Sequence, residues 1–328
     1  MRWENRTRAY ADALSAAATA RLTTTLQTIE PLPPSADTVP RGRLASAAMI
    51  VAAVLAAAVL HASWNAVVKG VSDRAGLFVR TSVVGAAACA AALWFVPWPA
   101  GGSWPWLLAS VAVHVLYNLG LLAAYRLGAF NQTYPLARGV GPIVVAVVAM
   151  LALGESLAPA RAAGVVLIAT AIAVLGLTPW RLVRANRPAV LASVLTGLTI
   201  AAYTLIDGVG VRASGSAAGY TLWLIGLECS ATAVVAALLR RRTGVTAGSD
   251  ARGWLLAGAV TVMSTLAYGL VLWAQTRGAL AAVAALRESS VVVAALIGVV
   301  VFKESLGRVR IAASVAVALG VVLLAVPG

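Results

Sequence analysis

RGVGPIVVAVVAMLALGESLAPAR (residues 138–161) and RESSVVVAALIGVVVFKESLGRVR (residues 287–310) read as two copies of one segment. In each, an arginine precedes an apolar run, a Glu-Ser-Leu turn and a second arginine. One offset of 149 residues carries Arg138, Glu155, Ser156, Leu157 and Arg161 onto Arg287, Glu304, Ser305, Leu306 and Arg310. Just upstream, Gly128 matches Gly278 at an offset of 150, and Trp64-Asn65 aligns with Tyr203-Thr204 at an offset of 139. The longer Arg240–Arg252 loop of the second half largely absorbs the slip between those offsets. Five co-registered positions point to an internal duplication.

The runs themselves decide the fold class. A bilayer core takes about 20 apolar residues per helical span, and these blocks are continuously apolar, without the period-two alternation of a membrane barrel. Over the 328 residues, 61% are apolar and 11% charged, against roughly 45–50% and about 25% in soluble domains. So few charges cannot cover a water-soluble surface of this size. The chain is read as an all-α, polytopic membrane protein.

From Leu44 onward the pattern predicts ten spans: Leu44–Val67, Ala75–Val96, Trp104–Tyr125, Phe130–Leu153, Ala160–Leu177, Pro188–Ile206, Ala217–Leu239, Gly253–Ala274, Ala279–Phe302 and Val309–Val326. Residues 44–177 form the first repeat and residues 188–326 the second. Trp94, Trp98, Trp104, Trp106, Trp180 and Trp254 fall near span ends, where amphipathic rings favour the interface. Five spans per repeat is an odd number, so the second copy must enter the membrane from the opposite side. Such inverted pairs are common among secondary transporters.

Residues 1–43 differ, with six arginines, four acids and the run Pro31 to Pro34. They are read as a disordered basic tail, or as an extension from a start assigned too early, with Met49 opening the first span.

The formal charge of +14 comes from short arginine clusters between spans, where charge sets topology. No basic stripe interleaved with aromatics marks a nucleic-acid surface. Cys89 and Cys229 both lie in apolar segments, and with two histidines at no ligand spacing they outline neither a disulfide framework nor a metal site. No cofactor is expected, and the oligomeric state is not encoded in any readable pattern. Loops after odd-numbered spans hold thirteen Lys/Arg and those after even-numbered spans three. That bias places the odd loops in the cytoplasm and the termini outside.

The chain resembles ten-helix members of the drug/metabolite transporter superfamily, of the EamA type. The residues that carry the likeness are His61-Ala62-Ser63-Trp64-Asn65, Tyr134-Pro135-Leu136-Ala137-Arg138-Gly139, and Ala285-Leu286-Arg287-Glu288-Ser289-Ser290, with the turns at Glu155 and Glu304. It covers Leu44 to Val326. It implies two EamA repeats around a central cavity, export or exchange of small metabolites, and cytoplasmic termini, the last in conflict with the charge bias. The expected location is the bacterial cytoplasmic membrane, and the expected partners are a small solute and the lipid bilayer.

Polar side chains inside spans carry the functional information, because an ionisable group at the bilayer centre costs about 2.5–3.5 kcal/mol on insertion scales. Arg138 and Arg287 occupy equivalent positions in spans 4 and 9, so two-fold symmetry should bring them together near the midplane. Their planar guanidinium forks suit a carboxylate or phosphate. The structural alternative pairs Arg287 with Glu288 or Glu228, and Arg138 with carbonyls near Pro142 or a side chain of span 3. Pro135 and Pro142 bracket Arg138 and predict a kink or unwinding there.

His61, Trp64 and Asn65 in span 1, and His114, Tyr117 and Asn118 in span 3, follow i, i+3, i+4 spacing and share a helical face. They are candidate cavity walls, with Tyr134 of span 4, Tyr203 and Thr204 of span 6, and Ser264, Thr265 and Tyr268 of span 8. Each histidine is either a neutral core imidazole or a proton acceptor. Glu228 and Glu288, the acids read as well inside spans, are candidates for coupling or for a fixed ion pair. Asp207 is placed near an interface, and Lys69 at the end of span 1 as a snorkelling cation. Glu155 and Glu304 are expected to stabilise a turn or the start of the next helix. The expected function is a secondary carrier for a small, anion-bearing polar metabolite. A lipid-carrier flippase on the same fold and an integral membrane enzyme are the alternatives, the enzyme disfavoured because no acid, His or Cys cluster lies at an interface.

Overall fold

A computed structural model of the protein describes residues 41–127, 130–178, 186–244, 250–303 and 307–325. Residues 1–40 of the tail and Glu304 lie outside the described residues, whereas Arg41 and Arg43, read as tail, belong to the first helix. Eleven α-helices follow one another: α1 Arg41–Gly70, α2 Arg74–Ala92, α3 Trp104–Leu127, α4 Phe130–Ala152, α5 Pro159–Leu177, α6 Arg187–Ala213, α7 Ala217–Thr243, α8 Ala251–Gln275, α9 Leu280–Arg287, α10 Ser290–Val300 and α11 Arg308–Ala325. No strand occurs among the described residues.

Among these residues, nine segments are long and apolar enough to cross a membrane, with α9 and α10 counted together as Leu280–Val300. The protein is a multi-pass membrane protein. The fourth expected span, α4, is a continuous helix from Phe130 to Ala152, and its described side chains form the apolar stretch Leu136–Ala152.

Local chemistry explains the boundaries. Asp73, Asn186 and Asp250 accept hydrogen bonds from the backbone N–H of Gly76, Ala189 and Gly253, capping α2, α6 and α8. Such caps satisfy donors that have no partner within the helix. Pro159 and Pro188 stand in the first turns of α5 and α6, where a missing N–H costs nothing.

The helices pair α1 with α8, α2 with α7, α3 with α6, α4 with both α5 and α6, and α5 with α11, while α10 leans on α1. Lipid offers no hydrophobic gain for helix association, so small residues let backbones approach. A Cβ on Gly164 of α5 would lie 2.8 Å from the carbonyl of Gly320 on α11, and one on Gly197 of α6 would lie 2.6 Å from that of Ala137 on α4. The second contact seats α4 against α6 one residue before Arg138. Leu, Val and Phe side chains such as Leu151, Leu255 and Phe78 remain exposed outside the packed centre, as a lipid-facing surface requires.

The expected unwinding of α4 is not found: the helix runs through Pro135 and Pro142 without a break. Spanning helices tolerate proline because neighbouring groups take up the freed carbonyl. The interruption lies instead in the ninth span, where α9 stops at Arg287 and α10 begins at Ser290. The N–H groups of Glu288, Ser289, Val291 and Val292 bond to carbonyls three residues back, each at 3.0 Å. The helix therefore tightens into 3₁₀ geometry across Glu288-Ser289 before resuming.

Candidate functional site

Arg138 and Arg287 meet at this interruption. Arg138 is 7% exposed and Glu288 fully buried. Arg138 Nε donates to Glu288 Oε2 at 2.7 Å and Nη2 to Oε1 at 3.1 Å, a two-pronged ion pair between α4 and the α9–α10 turn. Nη2 also lies 3.4 Å from Ser290 Oγ, and Nη1 lies 3.1 Å from His61 Nε2. A guanidinium only donates, so His61 Nε2 accepts and that imidazole is neutral, with its proton on Nδ1. The indole of Trp64 meets the His61 ring edge-on at 5.0 Å. Span 1 thus contributes a wall behind Arg138.

Arg287, 6% exposed, is held more loosely. Its Nε is 3.6 Å from Glu288 Oε1, too far for a hydrogen bond. Among the described residues, Arg287 Nε, Ser289 Oγ and Trp64 Nε1 are buried without a hydrogen-bond partner. Buried donors are nearly always paired, so the unused ones of Arg287 and Ser289, which flank Glu288 in the chain, mark a place built for an acceptor. The charge agrees: two guanidinium groups face one carboxylate, leaving one positive charge uncompensated within the cluster.

A second cluster adjoins the first through Arg287, which interacts electrostatically with Tyr203 and Tyr268. Tyr203 of α6 stacks on His114 of α3 at 4.1 Å between ring centroids and meets the edges of Tyr117 and Tyr268 at 5.6 and 6.3 Å. Beneath these rings Asp207 is fully buried. It accepts hydrogen bonds from Tyr220 of α7, at 3.0 Å, and from Tyr268 of α8. Asp207, expected near an interface, is therefore enclosed by protein side chains. Helix α6 runs on to Ala213, seven residues past the predicted end at Ile206, and carries Asp207 inward.

Other candidates separate from these clusters. Asn118 donates to Glu228 at 3.2 Å, joining α3 to α7, so Glu228 is not placed as a partner of Arg287. Asn65 spends its amide on the His61 carbonyl of its own helix, at 2.7 Å. The side chain of Tyr134 is outside the described residues. Arg138 takes Glu288, His61 and Ser290 as partners, where the structural alternative named carbonyls near Pro142 or a span-3 side chain. Lys69 stands over the Phe302 ring at 4.7 Å. Among the described residues no group of three or more His, Cys, Asp or Glu could hold a metal ion.

Glu155 does stabilise a helix start, but not that of the next helix. It is 5% exposed and accepts from the N–H of Leu280 at 2.9 Å and of Ala281 at 3.4 Å. Arg212 secures it, donating to Glu155 at 3.2 Å and to the carbonyls of Gln275 and Gly278 at 2.8 Å each. A carboxylate at a helix N-terminus meets both unpaired N–H groups and the positive end of the helix dipole. This pins the far end of the short helix that presents Arg287. Glu155→Ala is expected to cost about 3 kcal/mol, since each buried donor left unpaired costs about 1–3 kcal/mol. Reversible unfolding in mixed micelles measures it, and a cost below about 0.5 kcal/mol would show that the contact is incidental.

No family model matches this chain, and no curated protein matches it. Solved structures do match. One crystal structure aligns over 85% of this chain and 96% of its own, with a TM-score of 0.65 and 19% identity. That likeness speaks to a shared helical fold and to nothing further.

Proposed function

We propose that the protein is an EamA-type carrier of the drug/metabolite transporter superfamily, built from ten spans as two inverted repeats. Its cargo is a small polar metabolite bearing an anionic group, moved across the bacterial cytoplasmic membrane by alternating access. The observation that carries this reading is the buried Arg138–Glu288–Arg287 cluster, with its surplus positive charge and its unpaired donors at Arg287 and Ser289. An ionisable group inside a span is a functional-site hypothesis by default, and here three converge from two helices.

The helix pairing supports the repeats. Exchanging the first five spans for the last five turns the α3–α6 contact into α8–α1, and α4–α6 into that of the α9–α10 span with α1; α2–α7 and α5–α11 map onto themselves. Helix α4, with 23 residues, reaches about 34 Å at 1.5 Å per residue, enough for a span. The symmetry is broken where it matters. The offset of 149 sets Glu288 over Gly139, so one half brings arginine and acid and the other arginine alone.

In this mechanism Arg138 and Glu288 lock each other, and Arg287 and Ser289 offer the donors that a carboxylate or phosphonate completes. An anion bound there bridges the α9–α10 turn to the His61–Trp64 wall, and the two halves rock about it. Counterflow into proteoliposomes tests the reading, using labelled L-glutamate, L-tryptophan, 2-aminoethylphosphonate and glucose 6-phosphate, with glucose as the uncharged control. Exchange of at least one anion-bearing probe, with none of glucose, is expected. Failure of all four, or glucose exchange at the same rate, contradicts it.

A further inference from the structure

We propose that Asp207 and His114 form a proton-exchange site, electrostatically linked through Tyr203 and Tyr268 to the anion site at Arg287. The link rests on the transport reading for its purpose, but the site itself does not.

Glu288 and Glu155 each face an arginine. Around Asp207 the neighbours are of another kind. Helix α3 brings Ser110 and His114 beside it, α7 brings the Tyr220 hydroxyl and α8 the Tyr268 hydroxyl. Its own helix α6 brings Tyr203, α9 brings the apolar Leu280 against Gly208, and α4 packs Val144 and Val145 against Leu205 and Ala201. A carboxylate inside a bilayer is costly unless a cation faces it. Among these contacting neighbours only the imidazole can become one, so a proton on either Asp207 or His114 removes the local imbalance.

The two histidines are not equivalent in this respect. His61 Nε2 is engaged by Arg138. His114 instead has Nδ1 3.0 Å from the Ser110 carbonyl and 3.1 Å from the Ser110 hydroxyl; the carbonyl only accepts, so the tautomer that satisfies both places the hydrogen on Nδ1. Nε2 is then the nitrogen that gains and loses a proton. Uptake forms one N–H or O–H bond and release breaks it; no other bond changes. The Tyr220 and Tyr268 hydroxyls hold the carboxylate in place, and Tyr203, stacked on His114, also interacts with Arg287.

Infrared difference spectra of the full chain in lipid bilayers, taken across a pH series, test this without any solute. The wild type should show a carboxyl or imidazolium band that disappears in Asp207→Asn and shifts in frequency in Tyr268→Phe. Arg287→Ala should move its midpoint pH, whereas Glu228→Gln should not. If Asp207→Asn fails to fold, the Tyr268→Phe shift carries the result. A wild type without a titrating band, a band untouched by both variants, or a midpoint unmoved by Arg287→Ala would overturn the proposal. Because no transport is measured, these failures leave the carrier reading standing, and a positive result does not rescue it if counterflow fails.

Discussion

Arg138→Met should abolish solute exchange and also weaken the fold. The substitution strands Glu288, fully buried, without the two-pronged donor it now holds at 2.7 and 3.1 Å. Removing one partner of a buried ion pair costs about 3–5 kcal/mol, because the remaining charge is left uncompensated. His61 Nε2 loses its donor as well. The accompanying change Glu288→Gln should recover most of the stability by removing the stranded charge, but not the exchange, since the site's charge pattern is lost. Arg138→Lys should be intermediate in stability, because an ammonium carries the charge without the fork. Reversible unfolding of the three variants beside their counterflow rates checks the pattern. Full stability in Arg138→Met would show that the pair contributes nothing to the fold.

Arg287→Ala should do the opposite: leave the protein folded and remove binding. Its contact with Glu288 is 3.6 Å long, and its Nε has no hydrogen-bond partner among the described residues, so little of the fold depends on it. An anionic probe that pairs with this guanidinium would lose about 2–5 kcal/mol, roughly 30-fold to several-thousand-fold in affinity. Stability should fall by less than in Arg138→Met, because packing is lost but no charge is stranded. The contrast between the two arginines is the informative result, because their positions in the repeats are equivalent. If both variants lost stability equally and kept binding, Arg287 would be a structural residue.

The spans and the paired arginines were legible because both are properties of short stretches: apolar blocks of bilayer length, and identical residues at one offset. His61 was legible through its spacing to Trp64 on one face. Asp207, followed by Gly208, imitates a turn after an apolar run, whereas the helix continues through it to Ala213. Its partners Tyr220 and Tyr268 come from two other helices, and no local pattern announces them. The cap that Glu155 gives Leu280 spans 125 positions and is equally invisible to periodicity.

The prolines of α4 predict an interruption beside Arg138, whereas the break lies at Glu288-Ser289. Three consecutive polar residues, Glu288-Ser289-Ser290, inside an apolar run are a weaker sequence signal than proline. Here Glu288 turns to Arg138 and the backbone adjusts by 3₁₀ bonding. Proline, by contrast, was absorbed. The lesson is specific to membranes, where the surrounding helices rather than the residue alone decide whether a span breaks.

Comparing an acid with its uncharged twin tests the guanidinium site most directly. Thermal unfolding of the purified protein is measured with L-tryptophan and with L-tryptophanamide, then with 2-aminoethylphosphonate and with ethanolamine, each in wild type and in Arg287→Ala. Stabilisation by at least one anionic member, none by its uncharged-end partner, and none in the variant is the expected result. Equal stabilisation by both members of a pair, or stabilisation that survives the loss of Arg287, would mean that the arginines do not bind an anion.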